Sequence, residues 1–390
     1  MFDSLPEAPV ELSIVMPCLN EARTLPVCLQ KAQDFLRDHG VSGEVIVADN
    51  GSADESVLIA QEAGARVVHV AEKGYGAALA GGIAAARGRY VVMGDADESY
   101  NFSAIEPFLK ALREGAQLVV GNRFKGGIEA GAMPLQNRYL GNPVLSFIGR
   151  LFFKIPLRDF HCGLRGFDRA AILSLDLKTT GMEYASEMIV RAALHGLRMA
   201  EVPVTLYPDG RDRQPHLQPW RDGWRHLRFL LLYSPRWLYL YSGLAMIVAG
   251  LLIAALLLPG PMMIADGVGL DVHTLLVGAM SILVGVQTIT FGVLARSYAQ
   301  RNGILPHRSR YDKILMDLKL EHLLGLSGFL LLCGVGAIAW AAHRWSAVNF
   351  GALDYRDAMR TLIVAVTCVV ASLQLGFSAF LLGVMEIRHK

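Results

Sequence analysis

Through its first 120 or so residues the chain repeats one pattern: a short run of β-branched and apolar residues, a polar turn, then a longer stretch with apolar positions at helical spacing. The apolar runs fall at residues 11–16 (ELSIVM), 44–48 (EVIVA), 66–70 (RVVHV), 90–93 (YVVM) and 117–120 (QLVV). Helical segments near residues 24–38, 54–63, 76–87 and 103–113 separate them. Strands that alternate with helices in this way predict an α/β domain, Rossmann-like, with a mostly parallel sheet.

After Trp237 the pattern changes. Four apolar stretches, at residues 238–258, 274–295, 323–342 and 362–384, each approach the ~20 residues a helix needs to cross a bilayer. They predict four transmembrane helices. Just before them, PWRDGWRHLRFLLLYSPRW (residues 219–237) places Trp220, Trp224, Leu227 and Leu231 at helical spacing, interleaved with Arg221, Arg225, Arg228 and Arg236. This is the pattern of an amphipathic helix lying in the headgroup layer, as a simple anchor or as a guide for a lipid substrate. The expected organisation is a catalytic-type α/β domain over 1–218, a juxtamembrane segment over 219–237 and a four-helix membrane domain over 238–390.

Composition agrees: 53% hydrophobic and 18% charged residues are too apolar for a soluble chain of 390 residues, and the excess lies in the four spans. The net charge of +2 gives no reason to expect a nucleic-acid partner. Its distribution says more. The loop 259–273 carries no Lys or Arg, whereas 296–322 carries Arg296, Arg301, Arg308, Arg310, Lys313 and Lys319, and the chain ends with Arg388 and Lys390. By the positive-inside rule the α/β domain and both termini are expected in the cytoplasm, in a multi-pass protein of the inner or plasma membrane. The third loop, with Arg344, Arg356 and Arg360, is less clean. The first residues, MFDSLPEAPVELS, have neither the positive flank nor the apolar core of a secretory signal. Five cysteines show no metal-ligand spacing, and a reducing compartment disfavours disulfides. Oligomeric state is left open, a homo-oligomer included.

In parallel sheets ligands collect beyond the carboxyl ends of the strands. Here those ends carry Pro17, Leu19, Asn20 and Glu21 after the first strand, and Asp49, Asn50, Gly51 and Ser52 after the second. Asp95, Ala96, Asp97 and Glu98 follow the fourth, and Gly121, Asn122 and Arg123 the fifth. Any one of these is an ordinary turn or helix cap; four together suggest a site. Lys73 and Gly74 open a G-x-G loop that lacks the third glycine of a dinucleotide fingerprint and follows the third strand, so a nicotinamide or flavin is not expected. The loop instead lets backbone approach a ligand closely. Asp95 and Asp97, two apart at the end of an extended segment, can aim at one point and hold a hard divalent ion, Mg²⁺ or Mn²⁺, with positions left for phosphate oxygens. A solvated strand-to-helix turn is the plain alternative, because D-x-D is a common pattern.

The runs MPCLNE, ADNGSADES, EKGYGAALAGGIAAARGRYVVMGDADESY and GNRF resemble the family-2 glycosyltransferases of the GT-A fold. DFHCGLRGF and MEYASEMIVRA, followed by EVPVTLYP and membrane helices, are similar to the polyprenyl-phosphate branch typified by dolichyl-phosphate mannose synthase. The resemblance covers about residues 11–235. It implies a nucleotide-sugar donor, with Pro17, Leu19, Glu21, Asp49 and Ala96 against the nucleoside, Asp49 on the base edge, and Asp95 and Asp97 on the metal. Asn20, Asn50, Gly51, Ser52, Lys73 and Gly74 share those strand ends and complete the expected donor site. Family members often carry Gln two residues after the second Asp, where this chain has Ser99, which puts a third protein ligand in doubt and leaves Glu98 or water for the role.

The implied acceptor is a polyprenyl or dolichyl monophosphate, already ionised at neutral pH and in no need of a general base. Arg123 and Arg138 are the residues expected to clamp its phosphate, since a guanidinium fork matches phosphate oxygens. Arg211 and Arg213, in YPDGRDRQPHL, either close over the phosphates or belong to a solvated loop. Asp159, on the family's D-x-x-x-G pattern with Gly163, is expected near the reacting carbon, orienting an arginine, or in a salt bridge with Arg165 or Arg158. His161 and Cys162 read as packing residues. The expected reaction is inverting sugar transfer to the lipid phosphate. A processive polysaccharide synthase is the alternative enzyme, against which stand the lack of a helix before Glu11 and of Q-x-x-R-W near Gln218. A non-enzymatic membrane subunit is the other, against which stand the intact Asp95, Asp97 and Arg123.

Overall fold

The computed structural model describes residues 9–211, 219–265, 268–305, 320–352 and 355–386. The chain divides into two compact units, one up to Tyr233 and one from Ser234 on.

The first unit is built on a sheet in the order β3-β2-β1-β4-β6-β5-β7. The strands are β1 (Leu12–Cys18), β2 (Gly43–Asp49), β3 (Arg66–His69), β4 (Tyr90–Met93), β5 (Leu118–Asn122), β6 (Arg165–Asp168) and β7 (Met199–Pro203). β1 pairs in parallel with β2 and β4, and β5 with β7. β1 and β4 are buried along nearly their whole length, because helices cover both faces of a central parallel strand; this is why their sequences are unbroken apolar runs rather than alternating ones. The expected helices are α1 (Leu25–Asp38), α2 (Ser56–Glu62), α3 (Tyr75–Ala85) and α4 (Glu106–Arg113).

β6 departs from the pattern. It lies antiparallel between β4 and β5, and its sequence, RGFD, carries no strand signal. Arg165 is fully buried there, its guanidinium donating to the carbonyls of Cys162 at 2.9 Å, Phe160 at 2.8 Å and Ala185. Because β6 separates β4 from β5, the acids after β4 and the arginine after β5 flank one strand.

After α5 (Arg123–Gly126) come α6 (Asn142–Phe153), α7 (Arg169–Leu173), α8 (Tyr184–His195) and α9 (Pro219–Leu232). The amphipathic helix proves apolar on two sides. Phe229 and Leu230 pack on Val190 of α8, with Ile148 and Phe152 of α6 against them, while Trp220 and Trp224 remain exposed. α6, for which the sequence raised no amphipathic expectation, also leaves Val144, Phe147 and Leu151 exposed on one helical stripe.

The second unit holds four helices long and apolar enough to cross a membrane, within Arg236–Leu257, Val272–Arg301, Leu320–Ala347 and Tyr355–Met385. The helices α10 (Ser242–Leu257) and α11 (Val272–Arg301) touch backbone to backbone, since a Cβ on Gly250 would stand 2.4 Å from the Gly278 carbonyl oxygen. The helices α12 (Leu320–Ala347) and α13 (Tyr355–Glu386) meet through Gly334 and a Ser327–Ser372 hydrogen-bond pair. The loop between the first two spans contains a hairpin, β8 (Met262–Ala265) with β9 (Val268–Leu270), unforeseen in the sequence. Arg308, Arg310, Lys313, Lys319, Arg388 and Lys390, on which the topological expectation partly rests, lie outside the described residues.

Candidate active site

The carboxyl ends of β1, β2 and β4 converge, and their polar residues first bind each other. Asn20, with φ 58°, adopts the left-handed conformation that asparagine tolerates. Its N–H donates to Ser52 Oγ at 2.9 Å and its Oδ1 accepts from Ala53 N at 2.7 Å. Asp49 accepts from the Gly51 and Ser52 N–H groups at 3.2 and 3.0 Å and meets His69 Nδ1 at 3.3 Å. Burial raises the Asp49 pKa, yet the bonds from Ser52, His69 and Gly51 prevail and hold it below the usual carboxylate value.

Asn50, buried, and Lys73, exposed, are both expected on the nucleotide and both bond to the strand ends around them. Asn50 Nδ2 donates to the Val70 and Glu72 carbonyls at 3.1 and 2.7 Å, its Oδ1 accepts from Gly74 N at 2.8 Å, and Lys73 Nζ donates to the Asn50 carbonyl at 2.7 Å. Together they fasten the G-x-G loop to β2. Gly74 must be glycine: its φ is 137°, and a Cβ would lie 2.2 Å from the Thr180 carbonyl oxygen. Pro17 and Ser52 are half-buried, Leu19 and Gly51 exposed, and Ala96 buried, at the same edge.

The acid cluster is the centre of the site. Asp95 Oδ1 accepts from Tyr75 Oη at 2.9 Å. Asp97 Oδ1 accepts from the Ser99 N–H and hydroxyl, so Ser99 serves as a partner of Asp97. Burial and the Asp97 charge lift the Asp95 pKa to about 6, against the Tyr75 hydrogen bond and Arg211. Two carboxylates this close, at least partly shielded from water, call for positive charge, and their hard oxygens suit Mg²⁺ or Mn²⁺. Among the described residues no group of three or more His, Cys, Asp or Glu is arranged to hold a metal ion. Gly163 explains the D-x-x-x-G glycine, because a Cβ there would stand 2.6 Å from Asp95 Oδ2.

Arg211 reaches this cluster from beyond β7. Its Nη2 stands 2.9 Å from Glu21 Oε1 and 3.2 Å from Asp97 Oδ2, and its Nε donates to Glu21 Oε2 at 3.1 Å. The preceding loop is pinned across the acid turn by Gly210 N to the Asp97 carbonyl at 3.0 Å and Tyr207 N to the Ser99 carbonyl at 3.0 Å. Glu98 lies against the same loop, its Oε1 2.9 Å from where a Cβ on Gly210 would stand. Of the loop's two alternatives, Arg211 is thus committed to the acids, while Arg213 lies outside the described residues. A cavity of about 290 Å³ opens here, lined by Asn20, Glu21, Thr24, Asp54 and Arg211 among others.

Beyond β5, Arg123 and Asp159 form a buried two-point ion pair, which agrees with the alternative that Asp159 orients an arginine and replaces the one that paired it with Arg165 or Arg158. Arg165 is used by carbonyls instead. Burial opposes the Arg123 charge, but Asp159 outweighs it and the pKa is raised. Arg138 is half-buried, with its guanidinium 5.6 Å from the Tyr139 ring centroid. His161 packs on the His226 ring at 4.7 Å, and Cys162 is buried, as packing residues should be. Two residues were not expected at the site: Tyr75, and Tyr100, whose Oη accepts from Gly163 N at 2.9 Å. Their signal was position alone, one within GYG and the other directly after DADES.

A largely parallel α/β sheet with paired carboxylates after β4, joined to four membrane-length helices, defines a membrane-bound sugar-transferring class. Residues 13–175 match the Glycosyl transferase family 2 domain, and residues 293–386 match the Glycosyltransferase family 2 C-terminal transmembrane region. The low-salt glycan biosynthesis hexosyltransferase Agl6 of Haloferax volcanii is 36% identical over 375 residues, covering 95% of this chain and 88% of that protein. The dolichyl-phosphate hexose transferase of the same organism is 30% identical over 50% of this chain and 82% of its own. A structure of glucosyl-3-phosphoglycerate synthase from Mycobacterium tuberculosis aligns with TM-score 0.43 and 23% identity over 57% of this chain and 76% of that one. The chain belongs to glycosyltransferase family 2, and it is a membrane protein.

Proposed function

We propose that this protein transfers a sugar, with inversion, from a GDP- or UDP-sugar to a polyprenyl or dolichyl monophosphate on the cytoplasmic side of the membrane. The observation that carries the lipid acceptor is the exposed apolar surface of α6 and α9, Val144, Phe147, Leu151, Trp220 and Trp224, in the unit that holds the acid cluster. Both helices pack together, and such side chains suit the headgroup boundary rather than water. The similarity to a dolichyl-phosphate hexose transferase supports the same reading.

The donor side is the cavity beside Glu21 and Arg211, with Asp95 and Asp97 as the residues that would hold Mg²⁺ or Mn²⁺. A divalent ion bound there supplies positive charge to the departing diphosphate. Tyr75 holds one Asp95 oxygen, leaving the other for that task. Arg211 sits between Glu21 and Asp97 and is placed to meet donor or acceptor phosphate when Asp97 takes another partner.

On the acceptor side no general base is required, because the lipid phosphate is ionised already. Arg123, braced by Asp159, and Arg138 offset the repulsion between two phosphate groups brought within a few Å. The phosphate oxygen forms its bond to the anomeric carbon as the bond to the diphosphate breaks on the opposite face, so an α-linked donor yields a β-linked lipid sugar.

The test is incubation of the purified protein in detergent with polyprenyl phosphate, Mn²⁺ or Mg²⁺ and a panel of nucleotide sugars, with glycolipid and free nucleotide both measured. Equimolar β-configured glycolipid and nucleotide are expected. A polymer product would indicate a processive synthase, nucleotide without glycolipid would reject the lipid acceptor, and an inert protein under all donors would point to a non-enzymatic subunit.

A further inference from the structure

We propose that Glu187 is a positioning residue for the Asp95 carboxylate, acting through the loop of residues 178–181 and Tyr75; this rests on the metal-bound donor site proposed above. Glu187 lies in α8, fully buried. Its carboxylate accepts from Lys178 N at 3.1 and 3.0 Å, and from Thr179 N at 2.8 Å and Thr179 Oγ1 at 2.7 Å. Tyr233 Oη approaches at 3.5 Å. A carboxylate sealed from water is tolerable only when its lone pairs are met in this way, so the helix and the loop cannot separate without leaving a buried charge unpaired.

The loop that Glu187 holds presses on the donor loop. The Thr180 carbonyl accepts from Ala77 N at 3.1 Å, one of the free N–H groups of the first turn of α3. A Cβ on Gly74 would stand 2.2 Å from that same Thr180 oxygen, and one on Gly76 would stand 2.8 Å from the carbonyl oxygens of both Thr179 and Gly181. Tyr75 sits between these two glycines, and its hydroxyl is the group that holds Asp95 Oδ1. The path from Glu187 to Asp95 is therefore continuous: carboxylate, loop N–H groups, loop carbonyls, the two glycines, the phenol and the acid. Asn50 holds the loop from the other side through Gly74 N. Glu187 acts on the side facing α8.

Groups that orient a metal ligand typically alter metal affinity about 10- to 100-fold when removed. The test is Mn²⁺ binding by the full chain in detergent, read from the EPR signal of the free ion, with Mn²⁺ alone and with UDP or GDP added. Asp97→Asn is the control for the site: wild-type Mn²⁺ affinity in that variant would reject the metal reading, and this inference with it. With that control satisfied, Tyr75→Phe is expected to weaken Mn²⁺ about tenfold and Glu187→Gln about threefold, as a partner one step further out. The double variant should bind as Tyr75→Phe does, because the path runs through the phenol. Unchanged binding in Glu187→Gln, or losses that multiply in the double variant, would overturn the assignment. If Glu187→Gln does not fold, Thr179→Val removes one hydroxyl donor and leaves the rest. A loss of binding that disappears in the Tyr75→Phe background is expected; wild-type affinity in Thr179→Val, or an undiminished loss in that background, would overturn the proposal.

Discussion

Arg123 meets Asp159 through two parallel hydrogen bonds, Nε to Oδ2 and Nη2 to Oδ1, each 2.7 Å, and its own backbone N–H donates to Oδ2 at 3.1 Å. Neither residue is more than slightly exposed, so the plane of the guanidinium is fixed by the acid behind it. Asp159 leaves Nη1 as the nitrogen it does not hold.

Lysine in that place keeps a charge and loses the fork. Arg123→Lys is expected to cut glycolipid formation about 10- to 100-fold, mainly through poorer acceptor positioning. Asp159→Ala should also destabilise the fold, by about 3–5 kcal/mol, since it leaves a buried cation unpaired. Acceptor titrations and thermal melts of both variants check this; unchanged acceptor kinetics in Arg123→Lys would remove that residue from the site.

The Asp95 carboxyl has a folded pKa near 6, above its ordinary value. The folded chain therefore holds a proton that the unfolded chain has lost, and without metal its stability falls as pH rises from about 4 through about 6. Divalent metal reverses the preference, because it binds the ionised form. Mn²⁺ affinity should drop by up to about tenfold per pH unit below about 6 and level off above. Asp95→Asn should abolish transfer, remove the fall in metal-free stability between about pH 4 and 6 that Asp95 contributes, and leave the folded protein intact. Melting curves across pH, with and without EDTA, decide it.

The asymmetry of lysine and arginine predicts that the loop 259–273 lies across the membrane from the first residues of the chain. Gly260 is a suitable reporter, since a Cβ there meets nothing within 4 Å. Gly260→Cys should be labelled in intact cells by an impermeant maleimide added outside. Labelling only after lysis would invert the topology.

Trp220 and Trp224 are 79% and 59% exposed. If they sit among lipid headgroups, Trp220→Ser with Trp224→Ser should raise KM for a long-chain polyprenyl phosphate about tenfold or more, while KM for a short water-soluble analogue moves little. Equal changes for both acceptors would assign the tryptophans to packing alone.

Much of this protein was legible along the chain. β1, β2 and β4 announce themselves because strands covered on both faces need unbroken apolar runs, and the membrane helices because the bilayer sets a length. Asp95 and Asp97 were readable because two carboxylates two residues apart, directly after one strand, need no tertiary information to be placed together. Pairings across the chain were not. Arg211 finds Glu21 across 190 residues, Arg123 finds Asp159 across 36, and Asn50 finds Gly74 across 24. A sequence states only that each side chain carries charge or a polar group; which partner satisfies it is decided when the sheet brings strand ends together and excludes water. β6 is the clearest case. RGFD is too short and too polar to read as a central strand, and it is one because Arg165, sealed between β4 and β5, finds three carbonyl oxygens that only the folded chain assembles.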